Sequence, residues 1–258
     1  MYELSIASVF KNEGHILKEW IEHYRFHGFD HIYLINDNST DNFLQILEPY
    51  IKENYVTLFN NDIETKKVGR QSLIYEKYLR NILRETKWLS INDLDEFLYS
   101  PSEINIKNIL KKYNNYSSIE VTWLLFGSNG YIEQPDNVVQ SFTKRIALSN
   151  IKGHWLNCKS IFKTNRLLSF SIHSQKVKGK IIKLNKDSND LLINHYAIQS
   201  WDFFSKIKMT RGDCDNYAES INYERNKKHF MKYDINEEID ERLKTQNINL
   251  VLQKYIHD

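Results

Sequence analysis

Hydrophobic residues along the first hundred positions follow two alternating periods. In residues 15–28 the apolar positions from Ile16 to Tyr24 fall on one helical face, and Gly28 ends the helix. Short apolar runs between the helical patterns predict buried strands. The predicted order is strand 3–10, helix 15–28, strand 31–37, helix 40–54, strand 56–61, helix 69–87 and strand 88–98. Strands that alternate with long helices predict βαβ units, hence an α/β fold with a mostly parallel sheet.

Polar residues follow the end of each predicted strand. These groups are Lys11–Glu13, Asn36–Asn38, Asn60–Asp62 and Asp93–Asp95. Ligands of open α/β sheets bind outside the carboxyl ends of the strands. The four groups are therefore expected to form one site at one edge of the sheet.

The pattern changes after about residue 100. The strand-like segments there are 119–127, 138–146, 159–164, 167–177 and 190–198, separated by short polar breaks. They predict a smaller mixed sheet added to the first. From Ser200 the chain becomes helical and charged, with loose helical spacing again over residues 236–256. No linker divides the chain, so we expect a single domain over residues 1–258.

Composition narrows the class of protein. The 35 Lys and Arg nearly balance the 33 Asp and Glu, so no overall positive charge indicates a nucleic-acid partner. Cys158 and Cys214 have no C-x-x-C spacing, which leaves zinc and disulfide frameworks unsupported. The N-terminus lacks a signal-peptide pattern, and no apolar run is long enough for a transmembrane segment. We expect a cytoplasmic protein, at most peripheral at a membrane face; the sequence does not predict the oligomeric state.

The strongest chemical signal is the segment "NDLDEFL", which places Asp93, Asp95 and Glu96 at the end of an apolar run. Two carboxylates separated by one residue can turn towards one hard cation such as Mg²⁺ or Mn²⁺. An isolated D-x-D is more often a solvated acidic turn, but its position at a strand end favours a site. His195 follows the apolar run "LLIN" and is either a core histidine or a metal ligand. Lys208 and Arg211 have helical spacing and lie either on a solvated helix face or beside a bound anion.

Several motifs occur in order along the chain: Lys11-Asn12-Glu13, Glu19-Trp20, His23-Tyr24, Gly28, Asp37 to Asp41, "DLDEF", Gly127 to Gly130, Lys159, His173, "NHY" at 194–196 and "KMTRG" at 208–212. Taken together, they resemble the motifs of GT-A glycosyltransferases of family 92 and of the family-2-like group. The resemblance covers roughly residues 4–213.

The resemblance implies a GT-A fold and a transferase that needs Mn²⁺ or Mg²⁺. The donor would be a nucleotide diphosphate sugar, most often UDP-linked, and the acceptor a glycan or glycolipid hydroxyl. The sugar would be a hexose, with galactose one candidate, transferred with inversion. Residues 1–100 would bind the nucleotide, residues 101–215 the acceptor and metal, and residues 216–258 would form a helical tail.

Residue by residue, the resemblance implies a metal site and a nucleotide-sugar site. Asp95 would bind the metal directly, Asp93 would contact the ribose or the water shell of the metal, and His195 would be the third protein ligand. The nucleotide-sugar site would contain Asn12, Glu13, Asp37, Gln71, Lys159, His173, Lys208 and Arg211.

An inverting transfer also needs a group that deprotonates the acceptor hydroxyl. The carboxylates in suitable loops are Glu133, Asp136, Asp213 and Asp215. Of these we favour Asp213, because it directly follows the basic end of the helix near residue 211.

Two other functions remain open. A sugar nucleotidyltransferase would also use carboxylates and Mg²⁺, but it needs a glycine-rich loop after the first strand, where "FKNEGH" has one glycine. The other is a non-catalytic carbohydrate-binding protein with the same fold.

Overall fold

The computed structural model describes residues 1–65, 69–153, 156–212, 214 and 225–248. The strands are β1 Tyr2–Phe10, β2 His31–Asn36, β3 Val56–Asn60, β4 Thr86–Ile91, β5 Glu96–Tyr99, β6 Ser118–Leu125, β7 Lys144–Arg145, β8 Cys158–Lys163, β9 Leu167–Ser169, β10 Lys176–Val177, β11 Ile181–Leu184, β12 Leu192–His195 and β13 Glu238–Ile239. The helices are α1 Gly14–Phe26, α2 Phe43–Lys52, α3 Arg70–Leu79, α4 Ile106–Lys112, α5 Val138–Ser141, α6 Trp201–Phe203, α7 Met209–Arg211, α8 Lys227–Tyr233 and α9 Arg242–Gln246. A π-helical turn, Phe204–Lys208, joins α6 to α7.

One large sheet organises the described residues, in the order β3-β2-β1-β4-β8-β6-β12-β5. Strand β11 also pairs with β6, alongside its first half, while β12 pairs with its second half. The pairs among β3, β2, β1 and β4 are parallel, and β8 and β5 run antiparallel to their neighbours. The α/β class with a mostly parallel sheet and C-terminal helices is therefore confirmed.

Alternate residues of β1 face two cores, as strand geometry requires. Leu4 and Ile6 pack into the larger core together with Trp20 of α1. Ala7 and Val9 pack into the second core on the other face of the sheet. Helices therefore cover both faces, which leaves the carboxyl ends of the strands as the place where polar loops meet.

The strand predicted over residues 88–98 is wrong in one respect that matters for the site. Strand β4 ends at Ile91, and β5 begins at Glu96 on the far side of the sheet, where it pairs with β12. A turn separates the two strands, because the Glu96 N–H donates to the Asp93 carbonyl and the Glu96 carboxylate accepts from the Asp93 N–H. The aspartates therefore lie on a turn and not on an extended strand.

The second half differs from its predicted strands at two segments. Residues 138–146 contain the helical turn α5, because the Glu19 carboxylate accepts the N–H groups of Val138 and Val139 at its start. Residues 167–177 form the short antiparallel pair β9 and β10. The chain bends between them where the Gln175 side chain bonds to both backbone groups of Ser171.

Other boundaries shift more modestly. Helix α3 ends at Leu79 and is followed by a 3₁₀ turn over Asn81–Arg84, so the helix predicted over residues 69–87 is too long. The strands predicted to form a smaller mixed sheet after residue 100 include β6, β8 and β12, and these three continue the main sheet. Within the predicted helix over residues 236–256 the described part is β13 and α9, and residues 249–258 lie outside the described range.

Candidate active site

The turn between β4 and β5 brings three carboxylates to the edge of the sheet at the carboxyl end of β4. The Trp20 indole of α1 donates to the carbonyls of Asp93 and Glu96 and so fixes the turn from below. The Tyr24 hydroxyl donates to the same Glu96 carbonyl. Two residues of the "EW…HY" pattern therefore hold the acidic turn in place.

Asp93 is held by residues of the predicted nucleotide-sugar site. The Lys159 ammonium of β8 donates to Asp93 Oδ2 at 3.0 Å, and the Gln71 amide of α3 donates to Asp93 Oδ1 at 3.3 Å. Lys159 is almost fully buried, which opposes its charge, but Asp93 and Glu96 outweigh that effect and raise the pKa of Lys159. Lys159 is therefore a permanent cation beneath the turn. The Asp93 side chain keeps 36% of its surface exposed to solvent.

Asp95 is buried between a lysine and a histidine. The Lys208 ammonium lies 2.5 Å from Asp95 Oδ2 and also donates to the Ala197 carbonyl at 2.6 Å. His195 Nε2 lies 3.5 Å from Asp95 Oδ1. Burial opposes ionisation of Asp95, but Lys208 and His195 hold the pKa of this carboxyl well below its usual range. Asp95 is therefore ionised at neutral pH.

Asp95, Glu96 and His195 form a group that could hold a metal ion, because one ligand atom of each lies within 4.8 Å of the others. Asp95 Oδ1 and Glu96 Oε1 are buried oxygens that accept no hydrogen bond from the described residues. A buried acceptor without a donor is costly, and a cation would remove that cost. Carboxylate oxygens with an imidazole nitrogen suit Mn²⁺ or Mg²⁺. The residues therefore fit the implied metal, although the group contains Glu96 and not Asp93.

Burial raises the pKa of Glu96 to about 7, while the nearby Lys159 ammonium works in the opposite direction. The side chain is fully buried, with its Oε2 3.5 Å from Lys159 Nζ. The sequence signalled this residue as a third carboxylate, but its flanking Phe97 and Leu98 gave no reason to assign it a ligand role.

The loop between β1 and α1 carries Asn12 and Glu13, both predicted to contact the nucleotide. The Glu13 carboxylate pairs with Arg211 at 3.0 Å, which joins this loop to the end of α7. Asn12 has a positive φ of 52°, and its side-chain oxygen accepts the Thr40 N–H at 2.7 Å. Asn12 thus shapes the contact between two loops at the same edge.

Asp37 is fixed by an arginine to which the sequence gave no role. Arg70, at the start of α3, grips both oxygens of Asp37 at 2.7 and 2.6 Å, and Asn61 adds a third hydrogen bond at 2.8 Å. Burial opposes the charge of Asp37, but the hydrogen bonds from Arg70 and Asn61 lower the pKa of its carboxyl. The only sequence signal for Arg70 was its position beside Gln71.

His173 and His195 both contact Trp123 of β6, with ring centroids 5.5 and 4.4 Å away. Burial and the Lys159 ammonium lower the pKa of His173. Both rings therefore line one wall of the site next to the turn. The Trp123 ring contacts both imidazoles in this wall, and no role was predicted for it from the sequence.

The predicted base Asp213 lies outside the described residues, as does Asp215. The two alternatives that are described, Glu133 and Asp136, are exposed on the loop before α5. The structure otherwise brings the predicted metal and nucleotide-sugar residues to one edge of the sheet. No helix within the described part of the chain is long and apolar enough to cross a membrane.

The sheet order and the acidic turn at its carboxyl edge define an α/β protein of the GT-A class. A sequence model of Glycosyltransferase family 92 matches residues 2–247, and the chain belongs to this family. The family resemblance found from the motifs is therefore confirmed.

Individual relatives are more distant. A family 92 glycosyltransferase protein of Ricinus communis is 25% identical over 213 residues, covering 80% of this chain but 37% of the relative. The chain thus spans little more than a third of that relative's length. A galactan β-1,4-galactosyltransferase of Arabidopsis thaliana is 25% identical over 111 residues, or 41% of this chain and 21% of its own. Among solved structures, S. aureus TarS 1–349 in complex with UDP-GlcNAc aligns with a TM-score of 0.45 and 16% identity, covering 80% of this chain and 65% of that chain.

Proposed function

We propose that the chain is a metal-dependent glycosyltransferase. It would move a hexose from a nucleotide diphosphate sugar, UDP-linked, to a hydroxyl of a glycan or glycoconjugate, with inversion at the anomeric carbon. The observation that carries the proposal is the group of Asp95, Glu96 and His195, which fits a divalent cation beside two buried lysines. Family membership supports the same reaction class.

Asp95, Glu96 and His195 would hold Mn²⁺ or Mg²⁺, and Asp93 would face the ribose or a water of the metal. A bound divalent cation neutralises the diphosphate and makes it a better leaving group. Lys208 already supplies a positive charge at Asp95, and Arg211 supplies another at Glu13. Charge-assisted donors of this kind suit the oxygens of a diphosphate.

The other end of the donor would lie at Asp37. Its carboxylate is fixed in one orientation by Arg70 and Asn61, so it can accept hydrogen bonds from a nucleoside without reorganising. Gln71 bridges the two ends, because it follows Arg70 on α3 and donates to Asp93. The galactosyltransferase similarity makes galactose the first hexose to test.

The β1–α1 loop argues against a sugar nucleotidyltransferase. Such an enzyme would use the backbone N–H groups of this loop to bind a triphosphate. Here the Gly14 N–H, at the start of α1, donates to the Asp41 carboxylate at 2.7 Å, and the Asn12 N–H donates to the Ser39 hydroxyl at 3.0 Å. The buried Glu13 places a further negative charge in the same loop.

The test is release of nucleoside diphosphate from a panel of nucleotide sugars, measured with Mn²⁺ and with EDTA, first with water and then with methyl glycosides as acceptors. We expect metal-dependent release from one UDP-sugar, and this donor names the sugar. If no donor is turned over and calorimetry shows no nucleotide binding, the chain is a non-catalytic carbohydrate-binding protein instead.

A further inference from the structure

A second polar cluster lies beside the proposed site and consists of His15, Gln134 and Gln199. His15 is the second residue of α1 and follows Glu13 by two positions. Gln199 lies on the loop after β12, four residues beyond His195. Neither the predicted metal site nor the nucleotide-sugar site uses these side chains.

The hydrogen bonds within this cluster define which nitrogen of His15 carries its proton. The Ser200 backbone N–H, which can only donate, points to Gln134 Oε1 at 3.3 Å. Gln134 therefore presents its Nε2–H group to Gln199 Oε1, at 3.0 Å. His15 Nε2 contacts the same Gln199 oxygen at 2.9 Å and must donate to it. In the neutral imidazole, Nδ1 is then the acceptor.

Gln199 is held in place at a conformational cost. Its φ is 52°, in the left-handed region that residues other than glycine seldom adopt, and the residue is 1% exposed. Its Nε2 is buried without an acceptor among the described residues. Strain and an unsatisfied buried amide in one residue are typical of functional sites.

Phe203 connects this cluster to the site. The His15 ring lies 4.2 Å from the Phe203 ring, measured between centroids, and the Lys208 ammonium lies 5.7 Å from the Phe203 centroid. Lys208 in turn holds Asp95. Phe203 therefore links the His15 ring to the Lys208 ammonium that pairs with the Asp95 carboxylate of the proposed site.

Three charged groups act on His15 from neighbouring elements: Glu13 of the β1–α1 loop, Lys208 of the π-helical turn and Arg211 of α7. Although His15 is solvent-accessible, desolvation by the surrounding protein lowers its pKa and the two cations add to this effect, while the hydrogen bond to Gln199 and the Glu13 carboxylate oppose it. The imidazole is therefore neutral at pH 7. A neutral histidine open to solvent can accept a proton.

We propose that His15 is the base of the transfer and that Gln199 positions it. This inference depends on the proposed function. The acceptor hydroxyl would give its proton to His15 Nδ1 while its oxygen forms the bond to the anomeric carbon. The bond from that carbon to the phosphate oxygen breaks, and its electron pair leaves with the diphosphate. The imidazolium then releases the proton to solvent.

The experiment compares wild type, His15→Ala and His15→Gln with the donor and methyl glycoside that wild type uses best. We expect the kcat/KM of both variants to fall about 100-fold or more, as loss of a general base does. Added imidazole should restore part of the rate to His15→Ala. The affinity for UDP with Mn²⁺, measured by calorimetry, should stay within about twofold of wild type, because the binding of UDP and the metal does not involve the base. His31→Gln, which alters a histidine at the opposite edge of the sheet, is the matched control and should keep the wild-type rate.

Gln199→Glu tests the positioning role with a near-isosteric change. A carboxylate beside His15 favours the imidazolium, so the acidic limb of the pH profile of kcat/KM should move up by about one unit. A merely structural Gln199 would change the rate and leave that limb where it was. The inference is overturned if His15→Gln keeps the wild-type kcat/KM. It is also overturned if Asp213→Asn removes the activity and added imidazole restores none of the rate to His15→Ala.

Nitrogen-15 NMR of the histidine side chains provides a readout that does not need turnover. His15, assigned by its absence in His15→Gln, should carry its proton on Nε2 in the neutral form. A proton on Nδ1 contradicts the inference whatever the activity. If wild type turns over no donor, the proposed function fails, and the tautomer still decides whether His15 Nδ1 can accept a proton.

Discussion

Asp37 and Asp95 are both buried carboxylates at the edge of the sheet, and a different cation fixes each of them. Arg70 holds Asp37 through two hydrogen bonds in a planar fork, whereas Lys208 holds Asp95 through a single ammonium. The fork sets the orientation of the carboxylate. The single contact leaves the other oxygen of Asp95 available to a metal.

The fork leads to a prediction for Arg70→Lys. Lysine keeps the charge but cannot hold both oxygens of Asp37, so the carboxylate would lose its fixed orientation. We expect the affinity for UDP, measured by calorimetry with Mn²⁺, to fall about tenfold, which corresponds to about 1.4 kcal/mol. Arg25→Lys, in the exposed pair with Glu53, is the matched control and should bind UDP like wild type. An Arg70→Lys protein that is less stable but binds UDP normally would show that the pair is only structural.

The sequence could show which residue types reach the site but not how they pair. Asp93 and Asp95 were visible as a D-x-D, and Lys159, Lys208 and Arg211 were visible as matches to the family. Arg70 was not, because burial of an arginine against Asp37, 33 positions away, is a tertiary event. The exchange of Asp93 for Glu96 in the metal group has the same origin, since it depends on a turn that a short motif does not encode.

At the scale of elements, β13 and α9 are joined to β7 by a buried charge cluster. The Arg145 guanidinium of β7 donates to Asp240 at 2.7 Å, and Arg242 at the start of α9 donates to both oxygens of Asp240. Burial opposes the charge of Asp240, but the hydrogen bonds from the two arginines lower its pKa to about 2. The C-terminal elements are therefore held to the domain by a carboxylate that stays ionised down to strongly acidic pH.

Asp240→Asn should weaken this connection. The amide cannot neutralise the buried Arg145, and removing one partner of a buried ion pair costs on the order of 3 kcal/mol. We expect urea unfolding to show a decrease of that size in the free energy of unfolding. Asp187→Asn, at an exposed carboxylate, should change it by less than about 0.5 kcal/mol. Equal stability of the two variants would contradict the role given to the cluster.

Elements with long local periods were predictable, and those set by distant contacts were not. Helix α1 and strands β1 to β3 lie close to their predicted positions because their apolar patterns are long and regular. Residues 138–146 look like a strand by alternation, but Glu19 of α1 caps a helical turn there. Similarly, the apolar run over residues 88–98 reads as one strand although its two parts lie in different places in the sheet.

For the whole molecule, two buried histidines connect α1 to the residue that follows α9. Asn247 bonds to His27 Nε2 at 3.2 Å and to His23 Nδ1 at 3.0 Å. Burial lowers the pKa of His27 to about 4, although its bonds to Asn247 and the Ile104 carbonyl work in the other direction. Burial also lowers the pKa of His23.

The folded protein should therefore lose stability as the pH falls from about 6.5 to about 4. In this window the unfolded chain binds protons on these histidines and the folded chain does not, so unfolding is favoured. Above about pH 6.5, the ordinary pKa of a histidine side chain, both states are neutral at these sites and their stabilising contribution is complete. We expect the free energy of unfolding of His27→Gln to fall less steeply over this window than that of wild type. Parallel pH profiles would contradict this assignment.

The site as a whole is assembled from both halves of the chain. The acidic turn and Asp37 come from the first hundred residues, whereas Lys159, His195 and Lys208 come from the second half. Strand order predicted that polar strand ends would meet, but the antiparallel insertion of β8 that brings Lys159 under the turn had no sequence signal.

The most direct test of this account is the rate of UDP release from the best donor by wild type, Asp95→Asn and Asp187→Asn, with Mn²⁺ and with EDTA. Folding of each variant is checked by thermal unfolding. We expect release by wild type and Asp187→Asn that EDTA abolishes. In Asp95→Asn we expect a decrease of about 100-fold or more, because both a metal ligand and the partner of Lys208 are lost. Metal-dependent release at the wild-type rate by Asp95→Asn would contradict the claim that Asp95, Glu96 and His195 form the reactive centre.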